Sequence, residues 1–130
     1  MRRPPITFLA LTFGLSACAT EPSTAPLRGQ WGAPDLAFEA TGRSAALHLP
    51  CGAQAHFVGP IVPDASGRFE VAGAVAERYT AAQVRVTGVL SGSELSLGLR
   101  FTDKNGGSET KTVLLRRDVA PDFSQAVCFA

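Results

Sequence analysis

The two histidines, His48 and His56, are the only imidazoles in the 130-residue chain and the first candidates for chemistry. A hairpin centred on Gly52 places them opposite each other on one face of two paired strands, and pairs Leu47 with Phe57 on the other face. Two imidazoles could hold a divalent metal weakly, but a full site needs three or four ligands and the sequence offers no third. We therefore expect two solvent-facing histidines and no metal site.

Other catalytic signatures are missing from the sequence. The acidic residues are dispersed, and the chain has no Gly-x-Ser-x-Gly, HExxH, glycine-rich phosphate loop or EF-hand pattern. A cofactor-free enzyme stays open as an alternative, because catalytic triads are set by geometry and not by order. We expect a protein that is not an enzyme, with no catalytic residues and no cofactor. Residues 103–108 are predicted to form a hairpin tip that could serve as a contact loop.

Residues 1–17 have the layout of a secretory signal peptide. A basic start is followed by an apolar run over Ile6–Leu15, and Ser16 and Ala17 are the small residues of a cleavage site. The apolar run of about ten residues is shorter than the roughly 20 that a membrane-spanning helix needs. We therefore expect this segment to be removed rather than kept as a transmembrane helix.

The residues Leu15-Ser16-Ala17-Cys18 resemble the lipobox of bacterial lipoproteins. In that family the cysteine thiol receives a diacylglyceryl group, the signal peptide is cut before the cysteine, and the new amino group is acylated. The resemblance implies that Cys18 is lipidated and that several acyl chains hold the mature protein, 18–130, on the membrane. Ala19, where an aspartate would mark retention in the inner membrane, implies the outer membrane, facing the periplasm. The alternative is an ordinary signal peptide with a chance cysteine.

If Cys18 is lipidated, Cys51 and Cys128 remain as an even pair in an oxidising compartment, and we expect them to form a disulfide. The bond would close a loop of about 77 residues and constrain the unfolded chain by roughly 4–5 kcal/mol. A reactive or metal-binding thiol pair is the alternative, but no CxxC spacing or neighbouring histidine cluster supports it.

After the N-terminal region, apolar and polar residues alternate with a period of two, which indicates strands with one buried and one exposed face. The runs lie near residues 36–41, 46–51, 54–61, 68–75, 84–90, 95–101, 109–119 and 124–129. Seven or eight strands with short connections predict a small all-β antiparallel meander barrel, with a β-sandwich as the rival. One helical turn within 74–83 is a further alternative. Four glycines that interrupt the runs are expected to permit sharp curvature: Gly59, Gly73, Gly88 and Gly98.

The chain therefore divides into three segments. Residues 1–17 are the signal peptide. Residues 18–28, rich in proline and small side chains, follow the lipidated cysteine as a flexible tether. Residues 29–130 form the barrel domain.

Gly29-Gln30-Trp31 resembles the GxW that opens the first strand of lipocalins and related calycin barrels. In those families a basic residue of the last strand packs on the tryptophan, a role that the resemblance gives to Arg116 or Arg117. The alternative is a core tryptophan at a barrel end. The longer stretch Leu47–Gly73 resembles a group of small bacterial secreted or lipidated proteins of unknown function, which supports the architecture alone.

The charge balance is nearly neutral, with 12 Lys+Arg and 11 Asp+Glu. This weighs against a nucleic-acid partner, because such proteins usually carry a clustered basic face. The favoured function is a non-catalytic structural or interaction module of the cell envelope, attached to the membrane through Cys18, with an envelope protein as partner. A calycin-like carrier of a small apolar ligand and a periplasmic inhibitor of a cell-wall hydrolase are the alternatives.

Overall fold

A computed structural model describes residues 25–76 and 81–124, which form a closed barrel of eight antiparallel strands. The strands are β1 (Arg28–Ala33), β2 (Leu36–Thr41), β3 (Ser44–His48), β4 (Gln54–Val58), β5 (Arg68–Val75), β6 (Ala81–Ser91), β7 (Glu94–Asp103) and β8 (Ser108–Arg117). Each strand pairs with the next and β8 pairs with β1, so the predicted all-β meander barrel is confirmed and the sandwich is wrong. None of the helical segments among these residues is long and apolar enough to cross a membrane.

Several segment limits differ from those predicted. The GxW segment forms β1, which starts at Arg28, and Leu27 before it is 5% exposed, so both lie in the barrel rather than in the tether. Strand β8 ends at Arg117 instead of near residue 119, because Asp118 adopts a φ of 58° that turns the chain. The strand predicted at 124–129 lies, from residue 125 on, outside the described residues.

The segment 74–83, for which one helical turn was the alternative, begins and ends in strands. Ala74 and Val75 close β5, and β6 begins at Ala81. Residues 77–80 between them lie outside the described part of the chain.

The barrel interior is filled by the protein's own side chains, and four aromatic rings form its centre. The ring of Phe38 lies 6.4 Å from that of Trp31, 6.2 Å from Phe57 and 6.1 Å from Phe69, measured between centroids. All four side chains are buried. Burying each contributes on the order of 2–3 kcal/mol, so this cluster is a main source of stability.

Two of the interrupting glycines make room for these rings. Gly88 in β6 is opposite Phe69 in β5, and a Cβ on Gly88 would overlap the Phe69 ring. A Cβ on Gly73 would collide with the His56 carbonyl oxygen and lie 2.9 Å from Cδ1 of Phe57, so this glycine makes room for the β4 backbone as well as for the ring. The rings therefore cover backbone that carries no side chain, and this close packing joins β4, β5 and β6.

The two ends of the barrel differ in how they are covered. Strands β1, β3, β5 and β7 begin at the end where the described chain enters, which we call the basal end; the other is the distal end. The connection between β4 and β5, residues 59–67, folds over the basal end. Ile61 in it is buried, and its carbonyl accepts a hydrogen bond from the Leu27 N–H at 2.7 Å. The basal end is thereby closed by apolar side chains.

After β8 the chain turns back along the outer face of β1 as a C-terminal strap, residues 118–124. The Asp118 N–H donates to the Gln30 carbonyl at 2.8 Å. Gly32 points outward, and the carbonyl of Val119 occupies the place where a Cβ on Gly32 would lie. Glycine at position 32 is therefore what lets the strap lie flat on the barrel.

Candidate binding surface

The two histidines do not face each other, so the predicted pairing is wrong. His48 is opposite Gln54, and His56 is opposite Ala46. Both imidazoles lie on the outer side of the barrel, but they sit at different levels of the β3–β4 hairpin.

The turn between β3 and β4 accounts for the error. The Leu49 N–H donates to the Ala53 carbonyl at 2.8 Å, and Cys51 between them adopts a φ of 66°. The hairpin is therefore centred on Cys51 rather than one residue later. Moving the centre by one residue moves each partner by two, so Leu47 pairs with Ala55 and not with Phe57.

His48 contacts an acidic neighbour instead of a second imidazole. Its Nε2 lies 3.4 Å from Oε2 of Glu39 on β2, at a partly exposed position. Within residues 25–76 and 81–124, no three His, Cys, Asp or Glu side chains come together in a way that could hold a metal ion.

One of the three cysteines, Cys51, lies among the described residues. Cys51 is exposed in the short turn Pro50–Gly52 at the distal end. Cys18 and Cys128 lie outside the described residues. Lipidation of Cys18 and the Cys51–Cys128 disulfide therefore stay predictions.

Trp31 is buried next to Arg117, the last residue of β8. The guanidinium carbon of Arg117 lies 5.5 Å from the centroid of the Trp31 ring, and its Nη2 donates to the Arg28 carbonyl at 3.2 Å. Of the two arginines expected for this contact, Arg117 makes it, whereas Arg116 is opposite Glu94. The contact links the first and last strands, where their pairing covers only two residues of each strand.

In the hairpin tip at 103–108, the carboxylate of Asp103 binds the backbone of its own turn. Oδ1 of Asp103 accepts hydrogen bonds from the N–H groups of Asn105 at 2.9 Å and Gly107 at 2.8 Å. The Asp64 carboxylate does the same at the basal end, where hydrogen bonds from the Ser66 hydroxyl and the Arg68 N–H hold its pKa below the ordinary value. Both acids shape turns.

The outer face of β5, β6 and β7 carries an unusual pair of like charges, which we call the arginine pair. Arg85 in β6 is directly opposite Arg100 in β7, and both side chains are exposed. Two like charges directly opposite each other in a sheet destabilise it. The Nη1 of Arg85 lies 3.0 Å from Oε1 of Glu70, whereas none of the described ion pairs involves Arg100.

The arginine pair lies beside a shallow depression of about 500 Å³. Its base is formed by residues with little or no side chain, Ala72 and Gly73, and Gln83 and Thr102 lie along its sides. These groups offer hydrogen-bond donors around two guanidinium groups. The arrangement can bind carboxylates, because a guanidinium donates two parallel hydrogen bonds to such a group.

Sequence reasoning missed this pair, although a signal for it exists. Ser91 is opposite Glu94 across the two-residue turn Gly92-Ser93. Counting back three steps of two residues from Ser91, and forward from Glu94, places Arg85 opposite Arg100. The turn residues alone predict a hairpin, and the two arginines face each other only when its register is followed along both strands.

Comparison with known proteins assigns no relative. No family model, no curated protein and no solved structure matches the chain.

Proposed function

We propose that this protein is a non-catalytic interaction module of the cell envelope. It is a lipoprotein anchored through acylated Cys18 in the outer membrane, it faces the periplasm, and a disulfide joins Cys51 to Cys128. The outer face with the arginine pair binds an acidic surface of an envelope protein. The observation that carries this proposal is the exposed Arg85–Arg100 pair on a barrel whose interior is occupied by its own side chains.

The filled interior favours this function over a carrier of a small apolar ligand. A carrier of that kind holds its ligand in a cavity of a few hundred Å³ lined by apolar side chains. Here the barrel axis is taken up by the contacts of Phe38 with Trp31, Phe57 and Phe69.

The short connections between strands favour an interaction module over an inhibitor that inserts a loop into an enzyme cleft. The longest described connection, residues 59–67, folds back onto the barrel and buries Ile61. It is therefore held on the basal end and does not project as an inhibitory loop.

The shape and chemistry of the arginine face fit a protein partner. The depression is open and shallow, so a flat surface can approach it, and arginine is among the residues enriched at protein interfaces. Glu70 already pairs with Arg85, so a partner carboxylate that reaches Arg100 would offset the charge that no described ion pair neutralises. A partner with clustered Asp or Glu side chains would therefore bind there.

Binding of a labelled peptide of eight glutamates tests the site directly. We expect the barrel, expressed from residue 19 onward, to bind the peptide at low salt and to lose affinity as salt rises. The double variant Arg85→Gln, Arg100→Gln should bind on the order of 10- to 100-fold more weakly, because two charge-assisted interactions are lost. Fluorescence anisotropy measures the dissociation constants.

A variant with the same loss of charge elsewhere is the control. Arg28 and Arg43 lie at the basal end, at the start of β1 and in the β2–β3 turn, away from the arginine pair. Arg28→Gln, Arg43→Gln should bind the peptide nearly as the unmodified barrel does. If both double variants lose affinity equally, the binding is general charge attraction and the proposed site is wrong.

A further inference from the structure

Arginines converge on the basal end of the barrel. They come from the start of β1, the β2–β3 turn, the start of β5 and the end of β8, and all of them are exposed. The five residues are Arg28, Arg43, Arg68, Arg116 and Arg117. The acids among the strand ends and turns here are Asp64, Glu94 and Asp118.

Three of these arginines form one patch, Arg28, Arg43 and Arg117. The side chain of Arg28 lies against the β2–β3 turn, since a Cβ on Gly42 would be 2.6 Å from its Nε, and Arg43 follows in that turn. Arg117 donates to the Arg28 carbonyl at 3.2 Å. None of the described ion pairs involves these three residues. Their positive charge is therefore not neutralised within the described barrel.

The distal end has the opposite charge. The described residues there carry three acids, Asp35, Asp103 and Glu109, and two bases, Lys104 and Lys111, of which Lys111 pairs with Asp35 at 2.6 Å. The barrel is therefore polarised along its axis, with the positive side at the basal end.

Exposed apolar side chains accompany the basal arginines. Val58, the last residue of β4, is fully exposed, and Val62 in the following connection is 48% exposed. Cationic groups next to exposed aliphatic side chains are typical of surfaces that lie against a bilayer, where the charges contact headgroups and the apolar groups enter the interface.

The short length of chain between Cys18 and the barrel favours a membrane as what covers this surface. Cys18 is seven residues before Ala25, where the described chain reaches the basal end. Seven extended residues span at most roughly 25 Å, so an acylated Cys18 would hold this end close to the lipid headgroups.

We propose that the basal end is a membrane-facing surface and that Arg28, Arg43 and Arg117 contact anionic phospholipid headgroups. This inference rests on the proposed lipid anchor for its orientation, but the surface itself can be tested without the anchor. Headgroup contact at the basal end leaves the arginine pair on the side of the barrel accessible to a partner.

Partition onto vesicles tests this surface. The chain from residue 19 onward keeps every described residue of the barrel and has no acyl group. We expect it to sediment with phosphatidylglycerol-containing vesicles at low salt and not with pure phosphatidylcholine vesicles. Arg28→Gln, Arg43→Gln should lower the partition coefficient on the order of tenfold. Arg117 is left in place because it also packs on Trp31.

The control is Arg85→Gln, Arg100→Gln, which removes two arginine charges from the side of the barrel and should keep the partition coefficient. Val62→Asp, which places a negative charge beside the basal arginines, should also weaken partition. Equal partition of the unmodified barrel and the Arg28, Arg43 variant would overturn the membrane-facing surface. That result would leave the proposed lipid anchor standing. The anchor is tested separately, because protein from the native host with no fatty acid on Cys18 would overturn it.

Discussion

At the scale of single residues, Trp31 and Arg117 join the first and last strands where few backbone hydrogen bonds do so. Two residues of β1 pair with β8, and the Asp118 N–H donates to the Gln30 carbonyl beside them, so the contact between Trp31 and Arg117 adds to a short backbone junction. The guanidinium of Arg117 covers the tryptophan ring and also donates to the backbone of Arg28. A lysine at 117 could not make both contacts, because an ammonium group has neither the planar face nor the forked donors.

Replacing Arg117 with Gln should therefore lower the free energy of unfolding by about 1–2 kcal/mol. Trp31 is the one tryptophan of the chain, so its fluorescence during urea unfolding reports the change. Arg116→Gln is the matched control. Arg116 lies on the outer surface opposite Glu94, and its loss should change stability by no more than about 0.5 kcal/mol. Equal effects of the two substitutions would contradict the role given to Arg117.

At the scale of elements, the pairing of glycines with phenylalanines fixes how β4, β5 and β6 pack. Gly88 in the middle of β6 costs strand stability by itself, but it leaves room for Phe69 from β5. Gly98 in β7 has no such neighbour, because the nearest atom to a Cβ there, the Thr87 carbonyl oxygen, would be 3.7 Å away.

Gly88→Ala should destabilise the barrel by about 1–3 kcal/mol, because the added methyl group collides with the Phe69 ring. Gly98→Ala should be neutral or slightly stabilising, since it reduces the freedom of the unfolded chain without a clash. Thermal unfolding of the two variants makes the comparison. A Gly88→Ala barrel as stable as the unmodified protein would show that Phe69 does not need this space.

The disulfide prediction also concerns elements, because Cys128 follows the strap and Cys51 is in the distal turn. If the two are joined, Cys128→Ser should lower the free energy of unfolding by up to about 4 kcal/mol. Intact mass with and without reductant, followed by thiol labelling, measures the bond. Labelling of both Cys51 and Cys128 in unreduced protein would exclude it.

The sequence was sufficient for the architecture but not for every register. Alternation, as in β7, was enough to predict a meander of seven or eight strands, whereas β1 was expected only from the resemblance of Gly29-Gln30-Trp31 to the GxW of lipocalins. The histidine pairing failed because the left-handed conformation of Cys51, a residue that seldom adopts it, moved the centre of the hairpin. The position of the strap could not be predicted, since it depends on the outward surface at Gly32, which exists only after the barrel has closed.

At the scale of the whole molecule, two groups of arginines lie on different surfaces of one closed barrel. The arginine pair lies on the side of the barrel, on β6 and β7. The patch of Arg28, Arg43 and Arg117 lies at the basal end, where the chain from Cys18 enters the barrel. The two proposals are therefore compatible, because a barrel that stands on its basal end presents its side to the periplasm. Both orientations depend on the acyl anchor.

The most direct test of the central claim is the mass and N-terminal sequence of the protein extracted from membranes of its native host. We expect a chain that begins at Cys18 and carries fatty acyl groups on that residue. A chain that begins elsewhere, or a Cys18 without fatty acid, would contradict the anchor, the proposed location and the orientation of the barrel.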